Sequence, residues 1–270
     1  MESVQSIYSM LAKKSLGQNF LMHRQTAARI VGAARLPENA QVLEIGPGTG
    51  MLTKELLSEG VRVMAVEADH ALIPELKGSF AQEIAEGQLT VVNADIRTFD
   101  TNDITGSYHI VANIPYYITG EIIRQFLTAP NQPASMTLLV QKEVAIRIAR
   151  EKKESLLSLS VKVYGEPSYC FTVPRGAFVP APNVDSAVLR IGNISRRAFP
   201  DANTETRFFE VIRAGFAHKR KRLAKNLEEH WSKESVAGAF VAAALSENAR
   251  AEDLSLSTWL ALTERLSSVI

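Results

Sequence analysis

Between about residue 40 and residue 150, short and nearly unbroken apolar runs alternate with segments whose apolar positions recur at helical spacing. "QVLEI" (41–45) reads as a buried strand, and 50–59 as a helix through Leu52, Leu56 and Leu57. "VRVMAVE" (61–67) predicts a second strand, 70–85 a helix, and "LTVVN" (89–93) a third strand. "YHIVAN" (108–113), a helix over 119–128, "MTLLVQ" (136–141) and a helix over 141–150 continue the series. This order predicts an α/β fold, a parallel sheet with helices on both faces. "SYCFTV" (168–173) and "SAVLRI" (186–191) are near enough in the chain to form an antiparallel pair that closes the sheet. "GNISRRAFPDANT" (192–204) then interrupts the pattern with turn formers, and the remainder of the chain has helical period. A boundary is expected there, giving domains 1–193 and 194–270. No internal repeat or low-complexity tract is visible.

Composition narrows the class. A 270-residue chain that is 46% hydrophobic and 22% charged suits one large or two small domains with a sizeable core. No apolar run approaches the roughly 20 residues of a membrane span, and "MESVQSIYSMLAKK" lacks the order of a signal peptide. The single cysteine, Cys170, excludes an internal disulfide and suits a reducing compartment, so a cytoplasmic protein is expected. Five scattered histidines show no metal-ligand spacing, and no metal is expected. The net charge of +1 conceals clustering: residues 1–35 carry five basic side chains against Glu2 alone, and residues 206–229 carry seven basic against three acidic. Such faces suit a phosphate-backbone partner, although a solvated helix surface has the same composition.

The first candidate chemistry lies in "EIGPGTG" (44–50), between the first strand and the next helix. Gly46, Gly48 and Gly50 let the backbone turn tightly and approach a ligand. Glu67, at the end of the second strand, can accept hydrogen bonds from both ribose hydroxyls of a nucleoside. Asp95, in "NADI" after the third strand, is placed to hold an adenine amino group. The carboxyl edge of an open α/β sheet is where ligands bind. The spacing G-x-G-x-G differs from the dinucleotide fingerprint G-x-G-x-x-G, which points away from NAD and towards S-adenosylmethionine.

The second candidate is "VANIPYYIT" (111–119), a strand that ends in an amide, a proline and two tyrosines. Beside an adenosyl sulfonium these residues acquire a role. An adenine N6 amino group is a poor nucleophile because its lone pair is delocalised into the ring. The Asn113 side-chain oxygen and a neighbouring backbone carbonyl can hold its two N–H groups and favour a pyramidal nitrogen. Pro115 stiffens that backbone, and Tyr116 offers a face for the base.

The chain resembles the ribosomal RNA adenine N6-dimethyltransferases, most closely the bacterial small-subunit (16S) enzymes that confer kasugamycin sensitivity. The resemblance is carried by "KKSLGQNFL" (13–21), "EIGPGTG", "VEAD" (66–69), "NADI" (93–96), "NIPYYI" (113–118), "VQKEVAIRI" (140–148), "GAFVPAPNVDSAVLRI" (176–191) and "FFEVIRAGFAHKRKRLAKNL" (208–227), in family order. It implies a Rossmann-like class I methyltransferase sheet with a smaller C-terminal α-helical, RNA-binding domain. It implies an S-adenosylmethionine site contacted by Asn19, Leu21, Gly46, Glu67, Asp95 and Asn113, with Phe178 stacking on the flipped adenine opposite Tyr116. The implied reaction gives N6,N6-dimethyladenosine at two adjacent adenosines in a loop near the 3′ end of 16S rRNA. The partner is then the immature 30S subunit and the enzyme a monomer without membrane contact. The chain departs from the family pattern at "EKKESLL" (151–157), at Arg175, Ala181 and Asn183, and in the residue order of "HKRKRLAKNL" (218–227). The first of these is nearer to the macrolide-resistance 23S enzymes. A 23S adenine methyltransferase, an RNA-binding assembly factor and a nucleotide-dependent oxidoreductase stay open as alternatives.

Overall fold

The computed structural model describes Lys13 and residues 16–266. Lys14 and Ser15 of "KKSLGQNFL", and the first twelve residues of the basic N-terminal stretch, lie outside the described residues. The chain divides into two compact units, one running to Ala145 and resuming over Glu166–Ile194, the other comprising Ile146–Gly165 and the chain from Ser195 onwards. The break at 194/195 lies next to the boundary expected at 193/194. The segment 146–165, however, clusters with the helical unit instead of with the sheet.

The first unit is built on a seven-stranded sheet. Its strands are β2 (Gln41–Ile45), β3 (Arg62–Glu67), β4 (Leu89–Asn93), β5 (His109–Asn113), β6 (Ser135–Gln141), β7 (Glu166–Val173) and β9 (Ser186–Gly192). Across the sheet they lie in the order β4-β3-β2-β5-β6-β9-β7. β4, β3, β2, β5 and β6 are parallel, as the alternating pattern predicts. β9 runs antiparallel to both β6 and β7 and so closes the sheet. The central strands are continuous apolar runs because both faces are covered: in β2 every residue after Gln41 is buried. A second small sheet pairs β1 (Phe20–Leu21) antiparallel with β8 (Phe178–Val179), Leu21 opposite Phe178. No periodicity announces two-residue strands.

The helices of this unit are α1 (Arg24–Ala34), α2 (Met51–Ser58), α3 (Ile73–Ser79), α4 (Ala81–Ala85) and α5 (Thr119–Thr128). The helix expected over 70–85 is therefore two shorter ones, broken at Phe80, whose φ of −122° is not helical. Phe80 turns inward, 6% exposed, and its ring occupies the space a Cβ at Gly50 would need, 2.5 Å away. Burying that ring against the glycine turn takes precedence over helix continuity. α6 (Lys142–Ala149) follows β6 directly, and the division between the units falls within it.

The second unit is helical: α7 (Leu156–Lys162), α8 (Ala202–Gly215), α9 (Leu223–Leu227), α10 (Lys233–Ala242) and α11 (Leu256–Arg265). Ser155 and Ser158 form a reciprocal capping box at the start of α7, and the Asp201 carboxylate accepts from the Thr204 N–H at the start of α8. Tyr164, Phe199, Phe208 and Phe209 form a ring cluster, while Trp259, fully buried, stacks on Phe216 at 5.6 Å. Residues 218–222, within the basic run, are irregular and not helical. The Asn226 amide donates to the carbonyls of Gly215 (2.6 Å) and His218 (3.2 Å), satisfying acceptors that a continued helix would have used. Among the described residues no helix is long and apolar enough to cross a membrane.

Candidate active site

The carboxyl ends of β2, β3 and β5, with the segment after β4, open onto one cleft in the first unit. Asn19, Leu21, Gly46, Gly48, Glu67, Asp95, Asn113, Pro115 and Tyr116 all line it. Of the residues singled out from the sequence, Gly50 and Phe178 do not line it. Phe178 is the one expected to clamp the target base. Its side chain is 2% exposed and belongs to the apolar core that also holds Leu21, so it presents no face to a ligand in this conformation.

The glycine turn forms one wall. Gly46, Gly48 and Gly50 have φ of 66°, 57° and 77°, a region open to glycine at little cost. At Gly48 a Cβ would also come within 3.1 Å of the Phe20 ring. Below the turn lies Glu67, 5% exposed, whose carboxylate accepts from the backbone N–H of Gly48 (3.1 Å) and of Asp69 (2.8 Å). Burial raises its pKa above the ordinary carboxylate value, and those two N–H groups offset part of the rise.

Asp95 stands opposite in a different state. Arg97 donates Nε and Nη2 to its carboxylate, the shortest contact being 2.6 Å, and the Arg97 backbone N–H adds a third donor. The guanidinium holds the Asp95 carboxyl below its ordinary value. Both side chains are partly exposed, and such pairs stabilise a fold little.

At the far wall, Asn113 ends β5, and its amide nitrogen donates to the Asn19 carbonyl at 3.0 Å. That bond fixes the side chain and leaves Oδ1 as its acceptor. Pro115 has φ −56°, and its carbonyl accepts from the Ile118 N–H at 3.2 Å, closing a 3-10 turn over Tyr116–Ile118. The Tyr116 hydroxyl lies 2.6 Å from Ser186 Oγ, with Ser186 fully buried at the start of β9. Burial raises the Tyr116 pKa, so the hydroxyl is neutral at physiological pH.

Three further contributors lie inside the quoted motifs but are not among the site residues singled out from the sequence. Asp69, 2% exposed, accepts from Lys13 Nζ (2.6 Å) and Gln18 Nε2 (3.3 Å), pinning residues 16–19 along the cleft. Burial pushes the Asp69 pKa up, but its bonds to Lys13, the Ala71 N–H and Gln18 outweigh that and hold it low. Ser186 orients Tyr116 across a separation of 70 residues. Glu44, inside the motif "EIGPGTG", is 1% exposed, and burial, only partly offset by Thr53, pushes its pKa up to about 8. Among the described residues no group of three or more His, Cys, Asp or Glu is arranged to hold a metal ion.

An open α/β edge with a glycine-rich turn, two carboxylates and a fixed amide can hold an adenosyl group and present a second base to it. Known proteins resemble this chain in sequence and fold. The family described as ribosomal RNA adenine dimethylase matches over residues 10–268. Ribosomal RNA small subunit methyltransferase A of Dehalococcoides mccartyi is 40% identical over 258 residues, covering 93% of this chain and 87% of its own length. The solved 23S rRNA methyltransferase ErmE is 29% identical with a TM-score of 0.75, over 92% of this chain and 99% of its own. A dimethyladenosine transferase from Plasmodium falciparum shares the fold, with a TM-score of 0.77 at 24% identity, over 90% of this chain and 95% of its own.

Proposed function

Because this chain belongs to the ribosomal RNA adenine dimethylases, we propose that it transfers methyl groups from S-adenosylmethionine to N6 of two adjacent adenosines in 16S rRNA. The product is N6,N6-dimethyladenosine, and the substrate particle is the immature 30S subunit, met by a monomer in the cytoplasm. The observation that carries this choice of RNA is the 40% identity, over 93% of the chain, to an enzyme named for the small subunit. The 23S reading rests on the likeness to ErmE, at 29% identity.

The cleft fits the methyl donor. The turn through Gly46 and Gly48 borders the cleft in a left-handed conformation that glycine adopts at little cost, Glu67 offers a carboxylate for the ribose hydroxyls, and Asp95 offers one for the adenine amino group. Asn19 and Leu21 border the same space. S-adenosylmethionine supplies an electrophilic methyl group on sulfur, which N6 accepts with loss of one proton. Asn113 Oδ1 and the Ile114 carbonyl hold the two N–H groups of the target. Pro115 orients that carbonyl, its own being engaged with Ile118. Tyr116, steadied by Ser186, stacks on the base. The first unit carries the transfer, and the exposed Lys219–Arg222 segment of the second contacts RNA phosphates. Extruding an adenine costs least where it is already unpaired, as in a loop.

The test is nucleoside mass spectrometry of 16S rRNA from a strain lacking the gene. N6,N6-dimethyladenosine should vanish and return with the wild-type gene; its persistence would sink the proposal.

A further inference from the structure

Tyr116 and Tyr117 are neighbours in one 3-10 turn, yet they sit differently. Tyr116 is part-buried and bonded to Ser186, whereas Tyr117 is 61% exposed. Among the described residues Tyr117 is the one exposed aromatic side chain, and it stands in the wall of the cleft. It is also backed. Gly17 has φ +61°, and a Cβ there would come within 3.1 Å of Tyr117 Cε1 and 3.2 Å of Cδ1, so this edge of the ring lies against bare glycine backbone. Gly17 belongs to the segment that Asp69 pins through Gln18, which gives the backing a fixed support.

An aromatic ring held along one edge and largely exposed at a cleft rim is suited to stacking an unpaired base. Swinging one adenine out of an RNA loop breaks its stacking with the next nucleotide. We infer that Tyr117 is a stacking platform for the base adjacent to the target adenine, so that the cleft grips two consecutive nucleotides. One base lies in the clamp at Asn113 and Tyr116, and its neighbour lies on Tyr117. For a product with two adjacent modified adenosines, the platform keeps the second close while the first is methylated. This inference rests on the methyltransferase reading of the same cleft.

The test uses 30S particles assembled from ligated rRNA in which the 5′ or the 3′ neighbour of the target adenosine is abasic. Affinity in the presence of S-adenosylhomocysteine, and single-turnover methyl transfer, are measured for the wild type, Tyr117→Phe, Tyr117→Ala and Tyr117→Asn. Removing one of the two neighbouring bases should weaken binding to the wild type and to Tyr117→Phe by about 5- to 100-fold. Tyr117→Ala and Tyr117→Asn should bind intact and abasic particles alike. Equal losses in all four proteins, or a wild type indifferent to both abasic sites, would overturn the inference while leaving the methyltransferase reading intact. A wild type that transfers no methyl group to intact particles would overturn both.

Discussion

The two halves of the cleft differ in how far their polar groups are already engaged. On the cofactor side, Glu67 accepts two backbone N–H groups and Asp95 is clasped by Arg97. On the target side, Asn113 spends only its amide nitrogen, on Asn19, and Tyr117 stands 61% exposed. The first half holds its shape through its own bonds, so a ligand there exchanges partners within a formed site. The second half keeps its acceptor and its ring for a group that arrives later. Changes on the cofactor side should therefore act on affinity, and changes on the target side on rate.

Asn113→Ala should break this contrast most strongly. The hydrogen bond proposed between its Oδ1 and N6 matters most as the nitrogen becomes pyramidal, so single-turnover methyl transfer at saturating cofactor and RNA should fall by about two or more orders of magnitude. Near wild-type transfer would return Tyr116 and Tyr117 to the role of packing aromatics.

Glu67→Ala should weaken S-adenosylmethionine binding by about 1.5–3 kcal/mol, the scale of hydrogen bonds to charged groups. Part of that loss reflects the freed Gly48 and Asp69 N–H groups, and Glu67→Gln should be milder. Unchanged affinity in calorimetry would sink the ribose assignment.

The smallest expected effect concerns stability and Glu44. Its carboxyl keeps its proton in the folded protein up to about 8, whereas in the unfolded chain it ionises near its ordinary 4.5. The unfolded state thus binds fewer protons from this group across that window, and its contribution to stability declines as pH rises through it. Glu44→Gln should remove the decline and be the more stable protein at pH 8 by about 1 kcal/mol or more. Denaturant unfolding at pH 5 and pH 8 measures this, and parallel pH dependence in the two proteins would contradict it.

Legibility in the sequence tracked the range of the interactions. The parallel strands, the antiparallel closure by β7 and β9, the glycine turn and the strand-end residues Glu67, Asp95 and Asn113 all follow from local pattern. Long-range contacts left no such trace. Lys13 reaches Asp69 across 56 positions, and Tyr116 reaches Ser186 across 70. Phe80 breaks a helix to fill the hollow at Gly50, and Asn226 ends α8 by taking its last carbonyls. Phe178, expected in the clamp, is 2% exposed in the apolar core that also holds Leu21. Segment 146–165 clusters with the helices from Ala202 onwards, Tyr164 bonding to Glu205 across 41 positions, which no window of sequence reveals.

The most direct test of the central claim offers the purified protein two substrates with labelled S-adenosylmethionine. One is 30S particles from a strain that lacks the modification, and the other is protein-free 23S rRNA. Label recovered as N6,N6-dimethyladenosine at two adjacent positions of 16S rRNA, absent from 23S rRNA and strongly reduced with Asn113→Ala, is the predicted result. Label confined to 23S rRNA, or equal transfer by wild type and Asn113→Ala, would contradict the account.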